Sequence, residues 1–325
     1  MLRAFLACTA LVVGMSVNQT QAQTPIEINF GVISTEASMN QKKNWEPFLQ
    51  AMSTATGFKI NGFYATDYAG VIEAMRFNKI QVAWFGNKSG MEAADRASGE
   101  VFAQIVARDG SLGYYSHIIV RKDSPFTSLD DILKCDKTLD FGIGDPNSTS
   151  GFLVPTTFIF SARNIDAKKC FKTVRNANHE ANALAVANKL VQAATNNSEN
   201  LQRLAKTAPD KAKEIRVIWT SPLIPSDPLV WRKDLDQALK NKIADFIFGY
   251  ATSDENEKKI LAGLQWAPFK KSDNNQLLPI RQMEVNKALA KVKADASLGE
   301  ADKKAQLAEL QKEFDELGKK IAALK

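Results

Sequence analysis

Residues 145–152 read Asp145-Pro-Asn-Ser-Thr-Ser-Gly-Phe152; they follow the strand-like run Leu139-Asp-Phe-Gly-Ile143 and precede an apolar stretch with helical spacing. This order predicts a buried strand, a turn rich in hydroxyl groups and the start of a helix. The first N–H groups of a helix lack intrahelical partners, and the helix dipole is positive at that end. Because Ser148, Thr149 and Ser150 would add three hydroxyl donors there, the turn is a candidate anion site that needs no lysine.

The same turn also fits an ordinary helix start. Serine and threonine are favoured at N-caps whatever the function of the segment. Pro155 lies so near the start that it removes an intrahelical bond unless it falls in the first turn. The proline therefore predicts a late start or a kink in this helix.

The N-terminal residues have the pattern of a secretory signal peptide. Arg3 precedes an apolar run over residues 4–15, and Ala22 offers a small residue for cleavage, so we expect residues 1–22 to be removed. The run is shorter than the ~18 to 20 apolar residues of a membrane span. Cys8 lies inside the run rather than after it, which argues against a lipid anchor. The pattern indicates an exported protein.

Once Cys8 is set aside, two of the three cysteines remain, Cys135 and Cys170. An even number of cysteines in an exported chain predicts a disulfide between them, and free thiols are the alternative because the Cα separation is not known from sequence. Cys135 would close a short helix that Ser128 and Asp131 begin as a capping box. The two cysteines and two histidines are too scattered for a zinc site, and no metal or cofactor is expected.

The charge pattern argues against nucleic acid as a partner. The chain has 42 basic and 36 acidic residues and a formal net charge of +6. Basic residues are interleaved with acids, and there is no basic stripe with aromatic residues between its charges. The composition indicates a mild general preference for anions.

Strand and helix patterns alternate along the chain, which predicts an α/β protein with mainly parallel sheets, and ~300 residues fit two domains. In the first half, apolar residues from Trp45 to Met52 recur at helical spacing and end near Gly57, and Asp67 is placed to cap the next helix. Residues 121–125 read as the crossing to the second domain. The stretch after Lys189 is polar, and residues 215–220 read as a strand on the way back.

The C-terminal part consists of two charged helical segments, 285–296 and 301–323. The second carries an apolar stripe at spacings of three and four, formed by Leu307, Leu310, Phe314, Leu317 and Ile321. The stripe predicts either a helical hairpin folded back on the body or a contact in a homodimer.

Polar side chains recur where strands end and helices begin, as the anion turn does. Ligands of open α/β sheets bind at the carboxyl ends of strands, so these side chains could converge on one cleft: Tyr68, Tyr114, His179, Glu199 and Asp227. Taken singly, each also fits a packing, turn or solvated role. Two carboxylates near a doubly negative group would repel it unless a cation intervenes. A phosphonate that carries an amine removes this conflict, with its oxygens on the Ser-Thr-Ser turn and its ammonium against Glu199 and Asp227.

Several ordered motifs resemble the phosphonate-binding proteins of bacterial ABC transporters. They are Val32-Ile-Ser-Thr-Glu36, Asp67-Tyr-Ala-Gly70, Ala83-Trp-Phe-Gly-Asn87, Gly144-Asp-Pro-Asn-Ser-Thr-Ser-Gly-Phe-Leu-Val-Pro155, Asn182-Ala-Leu-Ala-Val-Ala-Asn-Lys189, Ala194-Thr-Asn-Asn-Ser-Glu-Asn-Leu201, Trp219-Thr-Ser-Pro-Leu-Ile-Pro225 and Leu264-Gln-Trp-Ala-Pro-Phe269. The resemblance extends from about residue 28 to 285, whereas the C-terminal helices resemble the family only in general character.

The resemblance implies a two-lobed type II periplasmic binding protein that closes on a ligand, delivers it to an inner-membrane permease and catalyses no reaction. It implies a first lobe of residues 24–118 and 229–284, a second lobe of residues 119–228 and a helical extension over residues 285–325. Phe85, Tyr115 and Ile143 stand where relatives have Tyr, Trp and Asn.

The resemblance also assigns roles to the polar side chains. The phosphonate oxygens would be held by Ser148, Thr149, Ser150, Tyr68 and His179. Tyr114 would line the cleft, and Glu199 and Asp227 would receive the amino group of 2-aminoethylphosphonate.

Three other functions compete with this one. The same fold could carry phosphate, phosphite or another small oxyanion, although Glu199 and Asp227 argue against it. A secreted serine hydrolase would use Ser148 or Ser150 with His179 and an aspartate, but the chain lacks a Gly-x-Ser-x-Gly elbow. Ferric-ion capture would use Tyr114, Tyr115 and His179.

Overall fold

The computed structural model describes residues 25–324 of the 325-residue chain. The predicted signal peptide, residues 1–22, lies outside the described residues. The described part contains thirteen strands: β1 Glu27–Val32, β2 Lys59–Tyr64, β3 Val82–Trp84, β4 Gly99–Ala107, β5 Gly113–Tyr114, β6 Ser116–Arg121, β7 Asp140–Ile143, β8 Thr173–Asn176, β9 Ala193–Asn197, β10 Ile215–Thr220, β11 Ile224–Pro225, β12 Pro228–Arg232 and β13 Trp266–Lys271.

Helices connect these strands within residues 25–324. The α-helices are α1 Ser38–Thr56, α2 Tyr68–Arg76, α3 Asn87–Arg96, α4 Leu129–Ile132, α5 Ala167–Cys170, α6 His179–Ala187, α7 Ser198–Thr207, α8 Pro209–Lys213, α9 Gln237–Gly249, α10 Glu255–Gly263, α11 Leu278–Ala294 and α12 Glu300–Ala322. Shorter helical pieces of π or 3-10 type are Thr149–Leu153, Thr156–Phe160, Ser161–Arg163 and Asn274–Leu277.

Two sheets form the centres of two lobes. The first sheet has the order β13-β4-β12-β3-β1-β2, in which β1 is parallel to β2 and β3 while β12 is antiparallel to β3 and β4. The second has the order β10-β6-β9-β7-β8, in which β7 is parallel to β8 and β9 while β6 is antiparallel to β9 and β10. The predicted α/β architecture with a C-terminal pair of helices is confirmed.

The chain crosses between the lobes at β5 and β11, which pair with each other in a two-stranded ladder. The first crossing therefore lies at residues 113–114, before β6, and not at residues 121–125 as the sequence indicated. Because β6 pairs with β9 and β10, residues 116–118 belong to the second sheet and not to the first lobe. Strand β6 runs directly out of the crossing with no turn residue, and this continuity concealed the boundary.

The first lobe is held by a core of aromatic side chains between its sheet and α1. Trp45 of α1 lies with its ring centroid 5.2 Å from that of Trp266 and 5.5 Å from that of Trp84. Helix α1 ends as predicted at Gly57, whose φ of 73° is the left-handed conformation that glycine adopts without strain. This rigid body fixes the strand ends from which the cleft residues project.

The polar stretch after Lys189 proved to be ordered structure that the sequence analysis missed. It contains the central strand β9 and helix α7, which Asn197 caps by accepting the N–H of Asn200 at 2.7 Å. The strand reads Ala-Ala-Thr-Asn-Asn and is buried throughout. Four of its five residues are alanine or asparagine, which have low intrinsic strand propensity, so its pairing with β6 and β7 determines its conformation.

The C-terminal helices α11 and α12 pack against each other as a hairpin. Val285 and Leu289 of α11 form a small core with Leu317 of α12, and Leu307, Leu310 and Phe314 of the predicted stripe pack against it. The stripe therefore contributes to a contact within the chain. None of the helices found between residues 25 and 324 is long and apolar enough to cross a membrane.

Two cysteines of the second lobe lie at covalent distance. The Sγ atoms of Cys135 and Cys170 are 2.06 Å apart. Cys135 follows α4, whose start carries the predicted capping box between Ser128 and Asp131. The bridge joins the segment that follows the short helix α4 to the last residue of α5, beside the hydrophobic core of the second lobe.

Candidate functional site

The hydroxyl-rich turn begins a helix whose first donors are free. Ser148 is the N-cap, and its Oγ accepts the N–H of Gly151 at 3.0 Å. Within residues 25–324, the N–H groups of Thr149 and Ser150 donate to no acceptor. Ser148, Thr149 and Ser150 are each only 2% exposed. Two backbone donors at the positive end of the helix are therefore unpaired among buried residues, as an anion site requires.

Glycine is required on both sides of this turn because the backbone folds onto itself. The N–H of Gly144 donates to the carbonyl of Gly151 at 2.9 Å. A Cβ added at Gly144 would lie 2.6 Å from the backbone of Gly151, closer than side chains tolerate. This close packing fixes the backbone conformation of the turn.

The helix continues past Pro155 without breaking. Residues Thr149–Leu153 and Thr156–Phe160, on either side of the proline, are wound as π-helix, and Ser161–Arg163 closes the segment in 3-10 form. Proline has no N–H to donate, and the wider π turns on either side of it accommodate this missing hydrogen bond. The predicted late start is wrong, because the helix begins at Thr149, directly after its N-cap.

His179 lies over the turn as the first residue of α6. Its Nε2 atom is 3.4 Å from Ser148 Oγ and 3.5 Å from Ser150 Oγ. Its Nδ1 atom is buried and has no hydrogen-bond partner within the described residues. Burial, with a smaller contribution from the positive charge of Arg203, lowers the pKa of His179 to about 3. The imidazole is therefore neutral at physiological pH and serves as a dipole rather than a charge.

Asn197 is a cleft residue that the sequence analysis did not single out. It donates from Nδ2 to Ser150 Oγ at 3.1 Å, and the same atom lies 3.3 Å from Nε2 of His179. The signal for it was present, because Asn197 ends a strand immediately before a helix and asparagine is a favoured N-cap. Its position within the turn cluster depends on the pairing of β9 with β7.

Tyr68 reaches the same cluster from the first lobe. It is the first residue of α2, which Asp67 caps as predicted by accepting the N–H of Gly70 at 2.7 Å. The N–H of Tyr68 donates to Oδ2 of Asp145 in the second lobe at 3.2 Å. Burial raises the pKa of Tyr68, so its hydroxyl stays protonated and can donate. We call the six side chains at and around the Ser-Thr-Ser turn the head-group cluster: Tyr68, Ser148, Thr149, Ser150, His179 and Asn197.

Asp227 and Glu199 form an acid pair on the hinge side of the cleft. Asp227, only 4% exposed, directly precedes β12, which runs antiparallel to β3 and so begins where that strand ends. Its Oδ1 accepts the hydroxyl of Tyr114 at 3.1 Å and the amide of Asn87 at 3.3 Å. Burial, with repulsion by Glu199, raises the pKa of Asp227 well above its ordinary range. Burial also raises the pKa of Glu199, against the opposing charge of Arg203.

Among residues 25–324, no cation belongs to the acid pair alone. The positive charge of Arg203 acts on both carboxylates, and Arg203 already forms an ion pair with Glu36. Three carboxylates, Glu36, Glu199 and Asp227, thus surround one guanidinium. This local excess of negative charge is unfavourable in a buried site unless a cationic group enters it.

The two lobes are in contact across the cleft. Thr149 Oγ1 accepts the N–H of Lys88 at 2.8 Å, and Asp145 accepts the N–H of Tyr68. Seven of the side chains that the sequence analysis proposed as ligands are buried, namely Tyr68, Tyr114, Ser148, Thr149, Ser150, His179 and Asp227, whereas Glu199 is partly exposed. The head-group cluster and the acid pair are neighbours, because the charge of Asp227 contributes to the raised pKa of Tyr68.

This geometry does not suit the rival chemistries. A serine hydrolase needs a carboxylate on Nδ1 of its histidine, whereas Nδ1 of His179 is unpaired within the described residues and the ring is a poor base. Ferric capture by two adjacent tyrosines is also excluded. Tyr115 is 40% exposed while Tyr114 is 4% exposed and bonded to Asp227, so the two hydroxyls do not converge.

Comparisons with known proteins identify the family of the chain. Residues 30–277 match the family model described as ABC transporter, phosphonate, periplasmic substrate-binding protein. The chain is 54% identical over 297 residues to a phosphonates-binding periplasmic protein of Escherichia coli strain K12, a match that covers 91% of this chain and 87% of the relative. It is 29% identical over 197 residues to a phosphate-import protein of Mycolicibacterium smegmatis, a match that covers 56% of this chain and 60% of that protein.

The fold has an experimental counterpart of high similarity. The crystal structure of a binding-protein component of an ABC phosphonate transporter from Pseudomonas aeruginosa superposes with a TM-score of 0.90 at 52% sequence identity. The match covers 92% of this chain and 99% of that one. The similarity therefore includes the C-terminal helices as well as the two lobes.

Proposed function

The chain belongs to the periplasmic substrate-binding proteins of phosphonate ABC transporters, and on that basis we propose that its preferred ligand is an aminoalkyl phosphonate, with 2-aminoethylphosphonate as the best candidate. The ligand would occupy the space between the lobes, and the protein would deliver it to an inner-membrane permease. The protein is a binding protein and not an enzyme.

The observation that carries the choice of an amine is the unpaired charge of the acid pair. Asp227 is nearly inaccessible to solvent, and within the described part of the chain its carboxylate accepts hydrogen bonds only from the neutral side chains of Tyr114 and Asn87. Glu199 repels it, and Arg203 is shared with Glu36. An ammonium group placed between Glu199 and Asp227 would neutralise this excess through charge-assisted hydrogen bonds, each worth about 1.5 to 3 kcal/mol.

The head-group cluster suits the other end of such a ligand. Its donors are the two free N–H groups of Thr149 and Ser150, together with hydroxyl, imidazole and amide groups. All of them are neutral, and the charge of the phosphonate would be stabilised by the helix start and by hydrogen bonds. The neutral His179 and protonated Tyr68 can each donate to an oxygen without a change of protonation.

Binding would stabilise the closed arrangement of the lobes. Tyr68 and Tyr114 project from the first lobe and the hinge, whereas the Ser-Thr-Ser turn, His179 and Glu199 belong to the second lobe. A ligand that touches both groups binds the closed state more tightly than the open one, and this difference shifts the equilibrium. The protein would then present its closed, ligand-bound form to the permease.

The principal alternative is an oxyanion without an amine. The relative from Mycolicibacterium smegmatis is described as a phosphate-import protein, so the fold supports such a ligand in a protein 29% identical to this one. Phosphate or phosphite would fill the head-group cluster and leave Glu199 and Asp227 without a cation. The acid pair therefore favours the zwitterion.

Isothermal titration calorimetry on the purified mature protein tests the proposal. The panel consists of 2-aminoethylphosphonate, methylphosphonate, phosphite, phosphate and sulfate at one pH and salt concentration. We expect a Kd of about 1 μM or below for 2-aminoethylphosphonate, equivalent to about −8 kcal/mol. Methylphosphonate should bind at least about tenfold more weakly. Phosphate or phosphite binding as tightly as the aminophosphonate would overturn the assignment of the amine.

The proposal extends to location and assembly. Membership of a family of periplasmic proteins and the predicted signal peptide both support a periplasmic location for the mature chain. A homodimer through the C-terminal helices is still a prediction. The stripe residues Leu307, Leu310, Phe314 and Ile321 are only partly buried by α11, which leaves one flank of α12 open to a second copy. Sedimentation equilibrium decides between monomer and dimer.

A further inference from the structure

Helix α1 of the first lobe begins without a cap from its own sequence. Its N-cap residue, Ala37, has no side chain that can accept a hydrogen bond, and the first turn contains no acidic residue. Helix starts normally satisfy their free N–H groups with a side-chain oxygen and favour negative charge nearby. The cap of α1 must therefore come from elsewhere.

The missing cap is supplied by Glu180 of the second lobe. Its Oε2 accepts the N–H of Ala37 at 2.8 Å, and its Oε1 accepts the side-chain amide of Asn40 at 2.9 Å. The N–H of Glu180 in turn donates to the carbonyl of Thr35 at 3.3 Å. A carboxylate on the N-cap N–H is one half of a capping box, and here that carboxylate reaches across the cleft.

A second interlobe pair flanks this contact. Arg203 of α7 in the second lobe forms an ion pair with Glu36, the residue next to Ala37. Both side chains are mostly shielded from solvent, at 16% and 10% exposure, so water weakens their attraction less than at an open surface. The two contacts join the same short segment of the first lobe, residues 35–40, to two helices of the second lobe.

These contacts are coupled to the ligand site by their position in the chain. Glu180 is adjacent to His179 of the head-group cluster, at the first turn of α6. Arg203 lies one helical turn after Glu199 of the acid pair, on α7. Any motion that brings His179 and Glu199 onto the ligand also brings Glu180 and Arg203 onto residues 35–40.

We infer that Glu180 is a positioning residue that holds the lobes closed by capping α1 from the opposite lobe, without touching the ligand. We name the contacts of Glu180 with Ala37 and Asn40, together with the Glu36–Arg203 pair, the interlobe clasp. The clasp contributes closure energy that is the same for every ligand, so it sets affinity and residence time but not selectivity. This inference rests on lobe closure in the proposed function and not on the identity of the ligand.

The test compares Glu180→Ala with wild type against both 2-aminoethylphosphonate and methylphosphonate. Loss of a helix cap typically weakens the state that contains it by about 1 kcal/mol, so the Kd should rise about fivefold or more for both ligands, by the same factor. Most of the change should appear as faster dissociation in stopped-flow measurements, because the clasp exists only in the closed state. Glu46→Ala is the matched control, since Glu46 is an exposed glutamate of α1 with no hydrogen bond or ion pair in the described part of the chain.

Asn40→Ala, alone and combined with Glu180→Ala, tests whether the hydrogen bond between Asn40 and Glu180 is responsible. Asn40→Ala should also raise the Kd for both ligands, and adding it to Glu180→Ala should produce little further loss, because the two residues share one hydrogen bond. If Glu180→Ala does not fold, as judged by circular dichroism, Glu180→Gln and Asn40→Ala carry the test. Unchanged Kd and dissociation rates in these variants, or a loss confined to one ligand, would overturn the inference.

Small-angle X-ray scattering of the unliganded proteins separates this inference from the proposed function. If the clasp favours closure by itself, the radius of gyration of ligand-free Glu180→Ala should exceed that of ligand-free wild type and of Glu46→Ala. An equal radius together with unchanged binding rejects the clasp. Failure of wild type to bind either phosphonate would reject the proposed function while the scattering comparison still reads out the clasp.

Discussion

The phenol oxygen of Tyr114 lies 3.1 Å from Oδ1 of Asp227, a buried hydrogen bond that joins residues 113 positions apart in the sequence. Tyr114 belongs to β5 and Asp227 stands between β11 and β12, so the bond spans the two crossings between the lobes. It fixes the carboxylate at the hinge side of the cleft, and the hydroxyl lowers the pKa that burial and Glu199 raise.

Tyr114→Phe should therefore weaken aminophosphonate binding by altering the charge of Asp227. Without the hydroxyl, the pKa of Asp227 rises further and the carboxylate is ionised only at higher pH. We expect the affinity for 2-aminoethylphosphonate to fall about tenfold near neutral pH, the cost of one lost hydrogen bond to a charged group. Calorimetry from pH 5 to 8 should show the rise in affinity displaced to higher pH in the variant. Superimposable pH profiles would contradict this role.

Asp227→Asn and Glu199→Gln should separate ligands with and without an amine. Each change removes a negative charge with little change of shape, so 2-aminoethylphosphonate should lose about 10- to 100-fold in affinity. Methylphosphonate should bind unchanged or more tightly, because a charge that repels its dianion has gone. Asp210→Asn is the control, since its side chain is 95% exposed on α8. Equal losses for both ligands would remove the ammonium role.

His179 should make the unliganded protein less stable in acid. Its folded pKa is lowered to about 3 from an ordinary value near 6.5, so the unfolded chain binds the proton more readily than the folded one. The stability that this group contributes is complete above about pH 6.5 and is lost as the pH falls toward 3. The loss at pH 5 should be roughly 2 kcal/mol.

Denaturant unfolding at pH 7.5 and pH 5 measures this effect. Between the two pH values, the free energy of unfolding should fall by about 2 kcal/mol more for wild type than for His179→Gln, whose side chain cannot be protonated. Other titrating groups are common to both proteins and cancel in the comparison. The same loss in both proteins would show that His179 is solvated in the folded state.

The Cys135–Cys170 disulfide is predicted to exist in the exported protein. Thiol labelling of the denatured, unreduced protein should find neither of these cysteines free. The cysteines are 35 residues apart, so replacing both with serine should lower the free energy of unfolding by roughly 3 to 4 kcal/mol through the greater entropy of the unfolded chain. Two labelled thiols would rule out the bridge. An unchanged midpoint in the serine variant would show that the bridge adds no stability.

Local features of the fold followed from the sequence because their causes lie within a few residues. The cap of α2 by Asp67, the glycine end of α1 and the capping box at Ser128 each involve neighbours three or four positions apart. The helix start at Ser148 is of the same kind. Side-chain chemistry at such positions acts before any tertiary contact exists.

Elements without a strong local signal were not predictable in this way. Strand β9 has alanine or asparagine at four of its five positions, where strand formers would be expected, and its conformation comes from pairing on both sides. The sequence indicated a crossing at residues 121–125 instead of 113–114, because β6 continues directly from the observed crossing. Asn197 entered the head-group cluster through the same pairing.

The sequence by itself determined an α/β chain with a hydroxyl-rich helix start and two acids in a family-like order. Only the tertiary structure decided that Glu199 lies near enough to raise the pKa of the buried Asp227, that His179 is held neutral, and that α1 receives its cap from Glu180. Charges, pKa values and interlobe caps depend on distances between residues far apart in the chain. Such distances are set when two separate sheets dock, and no local pattern records them.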